Sequence, residues 1–186
     1  MRLYQRRGDG RNARARLLTL AVRQIGPGEA IAYREIRLTA LDGDPAAFSS
    51  DAATERARDL DWYRQSARET AIFVAFRGEM PIGMAGLFVS DQPKTRHIGT
   101  VFGVYVRPEA RQAGVAALLM EAVIAHAAGS VAQLHLGVAA DNIPALALYH
   151  RLGFQTYGTE PRALRIEDRY IDEHLMVLFL DKEDRL

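Results

Sequence analysis

The run from Arg96 to Val138 limits the architecture more than any other part of the chain. Arg96 to Val106 is long and rich in Ile, Val, Phe and Tyr, the composition of a strand. From Val115 the apolar residues Val115, Leu118, Leu119, Ala122 and Val123 fall in a helical stripe that lasts to Ala128, where Gly129 can end it. Val131 to Val138 is strand-like again. A long helix joining two strands predicts a parallel β-α-β unit, because a parallel partner requires the chain to cross back along the sheet.

The segments before this unit predict antiparallel neighbours. Leu17 to Val22 reads as a first strand, closed by Gly26-Pro-Gly28, and a helix is expected from near Glu29 to the turn residues Asp42 to Pro45. Ala46 to Ser50 reads as a loop, and Thr54 as the cap of a second helix running to about Arg68. Ala71 to Phe76 and Ile82 to Val89 flank a short polar turn, the pattern of a β-hairpin, and Arg96 to Val106 follows after the turn Asp91 to Thr95. After the β-α-β unit, Asn142 to Leu152 reads as a short helix closed by Gly153. Phe154 to Thr159 and Leu175 to Leu180 supply two final strands, with the charged segment Thr159 to Glu173 between them expected as loop and strand edge. The sum is an α+β fold: a mixed, mostly antiparallel sheet of six to seven strands flanked by about four helices.

Composition narrows the function. At 186 residues with 48% hydrophobic and 25% charged residues, the chain suits one domain, here taken as residues 16–186. Residues 1–15 read as a basic tail, solvated and poorly ordered; the match Gly8 to Ala13 to a dinucleotide pattern lacks a preceding strand and is treated as chance. A net charge of +1 gives no global field for nucleic acid or a membrane surface, and no apolar run approaches the roughly 20 residues of a membrane span. With no Cys there is no disulfide, thiolate metal site or cysteine nucleophile. These features fit a cytoplasmic protein with no metal, nucleic-acid or membrane partner.

The crossing from strand to helix, Arg111-Gln-Ala-Gly-Val-Ala116, is short of side chains. A helix start leaves about four backbone N–H groups unpaired and carries roughly half a positive elementary charge. Gly114 removes the Cβ that would block close approach, and Ala116 is small, so the backbone itself suits a phosphate or pyrophosphate, with Arg111 and Gln112 able to add side-chain donors. No Lys follows a Gly as in a nucleotide P-loop, and one Gly past mid-chain does not make a Rossmann turn. Taken alone, Gly114 fits either a ligand cradle or an eased helix start.

The segment Val106-Arg-Pro-Glu-Ala-Arg-Gln-Ala-Gly-Val-Ala116 resembles the acetyl-CoA-binding signature of the GNAT N-acetyltransferase superfamily, R/Q-x-x-G-x-G/A after a strand ending in V-x-P. Asn142-Ile-Pro-Ala-Leu-Ala-Leu-Tyr-His-Arg-Leu-Gly-Phe154 is similar to that family's N-x-x-A-x-x-L-Y-x-x-x-G-F segment, and Tyr33 to Phe48 is similar to its first helix and acceptor-side loop. The resemblance covers about residues 16 to 182. It implies that the backbone of Arg111, Gln112, Ala113, Gly114, Val115 and Ala116 holds the pyrophosphate of coenzyme A. Val104 and Val106 would meet the pantetheine arm and the acetyl carbonyl, where the strands splay apart. Asn142, Ala145 and Tyr149, spaced to share a helix face, would line the cleft while Leu146 and Leu148 turn elsewhere, with Tyr149 protonating the departing thiolate.

The implied reaction is direct acetyl transfer from acetyl-CoA to a primary amine of a small molecule or a protein, without a covalent enzyme intermediate. The base is not fixed. Places where relatives carry a Glu correspond to about Gly137 and Thr100, and Glu35, His97, His135, Glu167, Asp168, Asp172 and His174 are candidates by location only. Arg37, Phe48 and Trp62 are candidates for shaping the acceptor pocket. A homodimer is compatible with the family, and the alternative function is a non-catalytic acyl-CoA-binding regulatory module.

Overall fold

The computed structural model describes residues 20–181; the basic tail, the Gly8 to Ala13 match and Leu17 to Thr19 lie outside the described residues. Seven strands form one mixed sheet: β1 (Leu20–Ile25), β2 (Ala71–Arg77), β3 (Met80–Val89), β4 (Ile98–Val106), β5 (Gln133–Ala139), β6 (Gln155–Ile166) and β7 (Arg169–Phe179), in the order β1-β2-β3-β4-β5-β7-β6. Only β4 and β5 are parallel among these neighbours. The helices are α1 (Ala30–Gly43), α2 (Ala52–Ala57), α3 (Leu60–Glu69), α4 (Val115–Ala127) and α5 (Ile143–Arg151). The expected α+β architecture is the one observed.

Three local expectations change. Within the described residues the first strand runs from Leu20 past the expected end at Val22, its register against β2 going from Leu20 opposite Arg77 to Ile25 opposite Ile72. The single helix expected from Thr54 is two. Asp51 caps α2 by accepting from the Thr54 amide at 2.9 Å, and Asp59 caps α3 by accepting from Trp62 at 2.8 Å, so two short polar side chains each start a helix. The charged segment Thr159 to Glu173 is not a loop. It continues β6 and β7 into a long hairpin, because both strands find backbone partners as far as Ile166 opposite Arg169.

Each face of the sheet has its own core. On one, α4 lays Val115, Leu119, Met120, Val123 and Ala127 against Ala75, Ile82, Leu87 and Val101, joined by Leu134, Leu136, Val138 and Met176 from the far strands. The buried stripe thus takes Met120 and leaves Leu118 exposed. Each of the buried Val, Leu, Ile and Met side chains contributes roughly 1.5–3 kcal/mol. On the other face, α1 and α3 cover β1 to β4 through Ile36, Ala40, Tyr63, Ile72, Val74 and Met84.

A buried ion pair ties the helices of that second face together. Arg37 of α1 donates to Glu55 of α2 at 3.2 Å, and the Tyr63 hydroxyl of α3 donates to the same carboxylate, also at 3.2 Å. Arg58 adds a third positive or polar partner at 3.6 Å. With its partners in place, a carboxylate with only 3% of its side chain exposed is tolerated; burial and this charge push the Tyr63 phenol up to about 12. Trp62, by contrast, is 38% exposed and lies under the Arg58 guanidinium, outside both cores.

Candidate active site

The parallel pair β4 and β5 holds together over only three residues, Ile98 opposite Gln133, Gly99 opposite Leu134 and Thr100 opposite His135. Beyond Thr100 the strands part. On its other edge β4 carries a bulge: Phe102 pairs with Gly86 and Tyr105 with Met84, so Gly103 and Val104 together oppose Ala85. Gly103 has φ +65°, a backbone conformation that suits glycine, and a Cβ there would also meet the Met84 methyl at 3.2 Å. An extra residue on one edge and a lost partner on the other open a cleft beside Val104.

The turn expected to bind an anion stands at the end of β4. After a 3-10 turn at Pro108–Ala110, Arg111 is extended, Gln112 has φ +62° and Gly114, the residue that precedes α4, has φ +77° with no atom near its missing Cβ. The Arg111 amide donates to Pro108 and the first bond into the helix is Leu118 to Gly114; between them, the amides of residues 112–117 meet no acceptor among the described residues. No side chain caps the helix. Consecutive unpaired amides at the positive end of a 13-residue helix, in an exposed turn, fit a pyrophosphate. The Arg111 side chain is engaged elsewhere: its Nε donates to the Val106 carbonyl at 3.0 Å and its guanidinium pairs with Asp44. Val106 is buried and its carbonyl thus already has a donor, whereas Val104 is only partly buried.

Asn142 precedes α5 and caps it, its Oδ1 accepting from the Ala145 amide at 3.2 Å. Pro144, in the first turn, needs no amide partner there. Ala145 and Tyr149 follow on the helix, yet Leu146 and Leu148 do not turn elsewhere: all four side chains pack on the α4-side core. Tyr149 is 6% exposed and its ring lies 5.9 Å from that of Phe154. Its hydroxyl has no hydrogen-bond partner among the described residues, and burial pushes the phenol well above its ordinary value. It stays protonated throughout the neutral range, as a proton donor must.

The candidate bases scatter. Glu35 is paired with Arg107 at 2.8 Å, and His97 lies in the exposed turn before β4. Glu167, with φ +53°, and Asp168, paired with Arg165, occupy the far tip of the β6-β7 hairpin. Asp172 accepts from the Arg162 amide at 2.7 Å and His174 bonds Thr159 at 2.9 Å. Only His135 borders the cleft, as the last residue of β5 paired to β4; burial, and then His97, lower its pKa. Of the acceptor-side candidates, Arg37 and Phe48 lie together, the guanidinium 5.3 Å from the ring centre, while Trp62 sits on the outer surface of α3.

One carboxylate next to the cleft-lining strand escapes the sequence reading. Gly137 leaves room on β5, and a Cβ there would stand 2.9 Å from Glu173 Oε2, although the strand partner of Glu173 is Ala139. Burial, and then the neighbouring charge of Glu160, raise the Glu173 pKa. The sequence signals are a Gly in a strand, which marks a close approach without saying by what, and the family resemblance that puts a Glu at about Gly137; neither names Glu173.

Among the described residues, no helix is long and apolar enough to cross a membrane. The family model for the acetyltransferase (GNAT) family matches residues 35–154. The chain belongs to that family. A mycothiol acetyltransferase of Streptomyces scabiei (strain 87.22) is 31% identical over 148 residues, 76% of this chain and 44% of that protein. The chain spans less than half the length of the mycothiol acetyltransferases it matches. L-amino acid N-acetyltransferase AaaT of Escherichia coli (strain K12) is 26% identical over 148 residues, 77% of this chain and 90% of that protein. The solved structure of yncA from Salmonella typhimurium, with its cofactor acetyl-CoA, superposes with a TM-score of 0.76 at 22% identity, covering 90% of this chain and 98% of that one.

Proposed function

We propose that this chain is an acetyl-CoA-dependent N-acetyltransferase that moves an acetyl group directly to a primary amine. The observation that carries the reading is the row of unpaired amides at residues 112–117, placed at the start of α4 and at the mouth of the opening between β4 and β5. An anion chain held there can send a slender arm into the opening. The likeness to a structure holding acetyl-CoA, and to proteins named as mycothiol and L-amino acid acetyltransferases, supports the same assignment.

When bound, acetyl-CoA supplies an activated thioester. The amides of residues 112–117 hold the pyrophosphate, and Val104, displaced by the bulge, offers its backbone to the arm. Asn142 holds the first turn of α5 closed and so sets where Tyr149 emerges from it. Tyr149 gives its phenolic proton to the departing sulfur; the barrier falls because no free thiolate need form. Residues 16–186 act as one unit in this reading, since both cores share the same sheet.

A screen of primary amines, from amino acids to polyamines and aminosugar thiols, with acetyl-CoA and detection of free thiol, tests the proposal. Release of thiol with at least one amine, together with the N-acetyl product by mass spectrometry, is expected. Coenzyme A binding without release for any amine would instead make the chain a cofactor-binding module.

A further inference from the structure

We infer that Glu173, reaching from β7 over Gly137 of β5, is the base that takes the proton from the acceptor's ammonium group beside the β4-β5 cleft. The inference rests on the transferase reading and adds to it the residue that prepares the nucleophile.

Register places the group. Leu134, Leu136 and Val138 point into the α4-side core, so the alternate residues His135, Gly137 and Ala139 lie on the opposite face, the side that α1 covers farther along the sheet. Glu173 pairs with Ala139 and shares that face. Instead of standing over Ala139, its carboxylate leans to Gly137, one residue past Leu136 and two past the last β4 contact of β5 at His135. The far edge of β5 there has lost its partner, so a carboxylate above Gly137 stands one strand from the opening. Any side chain at 137 would deny it that position.

The surroundings suit a cation that must become neutral. On the same face β6 contributes Glu160, directly opposite Glu173, and β5 contributes His135; β4 offers the exposed, uncharged Thr100, then Phe102 and, farther along, the Tyr105 phenol. The 3-10 turn Pro45–Ala47, near β5 and β6, carries no charge, and Asp44 beside it is paired with Arg111. Among the described residues neither Glu160 nor Glu173 takes part in an ion pair, and two carboxylates facing each other attract an ammonium ion. Half-buried and opposed by a like charge, Glu173 holds a proton more readily than a surface carboxylate, which narrows the gap to an amine of pKa near 10.

Proton and electron counts close. R–NH3+ gives one proton to the Glu173 carboxylate, and the freed lone pair forms the C–N bond at the thioester carbonyl. The C–S bond breaks as the sulfur takes the Tyr149 proton. The second nitrogen proton returns to the Tyr149 oxygen, and Glu173 releases its own to solvent.

The test compares wild type with Glu173→Gln on an amine that the wild type acetylates. The amide keeps the shape and cannot take a proton: kcat/KM is expected to fall by about 10²-fold with its acid limb removed, while coenzyme A affinity by calorimetry stays unchanged. Glu160→Gln, which relieves the repulsion, should move the acid limb to lower pH. Gly137→Ala, whose methyl displaces the carboxylate rather than the backbone, should lower kcat and leave coenzyme A binding intact. Turnover and pH profile of Glu173→Gln equal to wild type would overturn the assignment and leave the transferase reading standing. Wild type inactive on every amine would overturn both.

Discussion

Asp44, just after α1, is ion-paired with Arg111 in the turn ahead of α4, so the only cationic side chain in the Arg111 to Ala116 signature is held by the residue that follows α1. Both partners are more than 40% exposed, and such a pair contributes about 0–1 kcal/mol. Asp44→Asn is therefore expected to leave the urea midpoint nearly unchanged while freeing Arg111 for phosphate. Coenzyme A should bind about 2- to 5-fold tighter at low salt, an effect that fades at high salt. Calorimetry at two ionic strengths checks it; equal affinities would mean that Arg111 does not compete for the anion.

Gly114 combines a left-handed backbone with open space at its Cβ. Gly114→Trp should strain the start of α4 by about 1 kcal/mol and fill the space over the amides. Loss of coenzyme A binding, at least about 10-fold in Kd or 1.4 kcal/mol, is expected by calorimetry, with Tm lower by a few degrees. An unchanged Kd would show that the anion binds elsewhere.

For Tyr149→Phe the fold should hold, since the hydroxyl has no partner among the described residues to lose. A fall in kcat of about 10²-fold with nearly constant coenzyme A affinity is expected from loss of the proton donor. Equal turnover, measured as thiol release under saturating acetyl-CoA, would remove Tyr149 from the chemistry.

Glu173 also leaves a trace in stability. Its folded pKa lies above the unfolded value, so between the two the native state binds the extra proton and stability falls as pH rises. Glu173→Gln removes that slope. The variant should gain Tm relative to wild type at neutral pH, and the gain should vanish below about pH 4, where the unfolded carboxyl is protonated too. A difference independent of pH would mean that the site does not perturb this carboxyl.

The parts of the molecule legible in the sequence are those governed by neighbours along the chain. The helix after residue 114 follows from its apolar spacing, the turn before it from Gly and small residues, and the α5 segment from Asn142 and Gly153 at its ends. Where neighbours competed, reading failed: Asp51 and Asp59 each start a helix where one was expected, and the charges of 159–173 mask a hairpin whose backbone pairing tolerates exposed polar side chains.

By itself the sequence determined a β-α-β unit, a backbone anion turn and, through two motifs, the family, because local periodicity and glycine conformation act over a few residues. Only the tertiary structure decided that β4 and β5 part after Thr100, that Arg111 meets Asp44, and that Glu173 lies over Gly137. Those relations join residues 35 to 67 positions apart. They depend on which strands pair and in what register, which is set by burying both faces of one sheet at once.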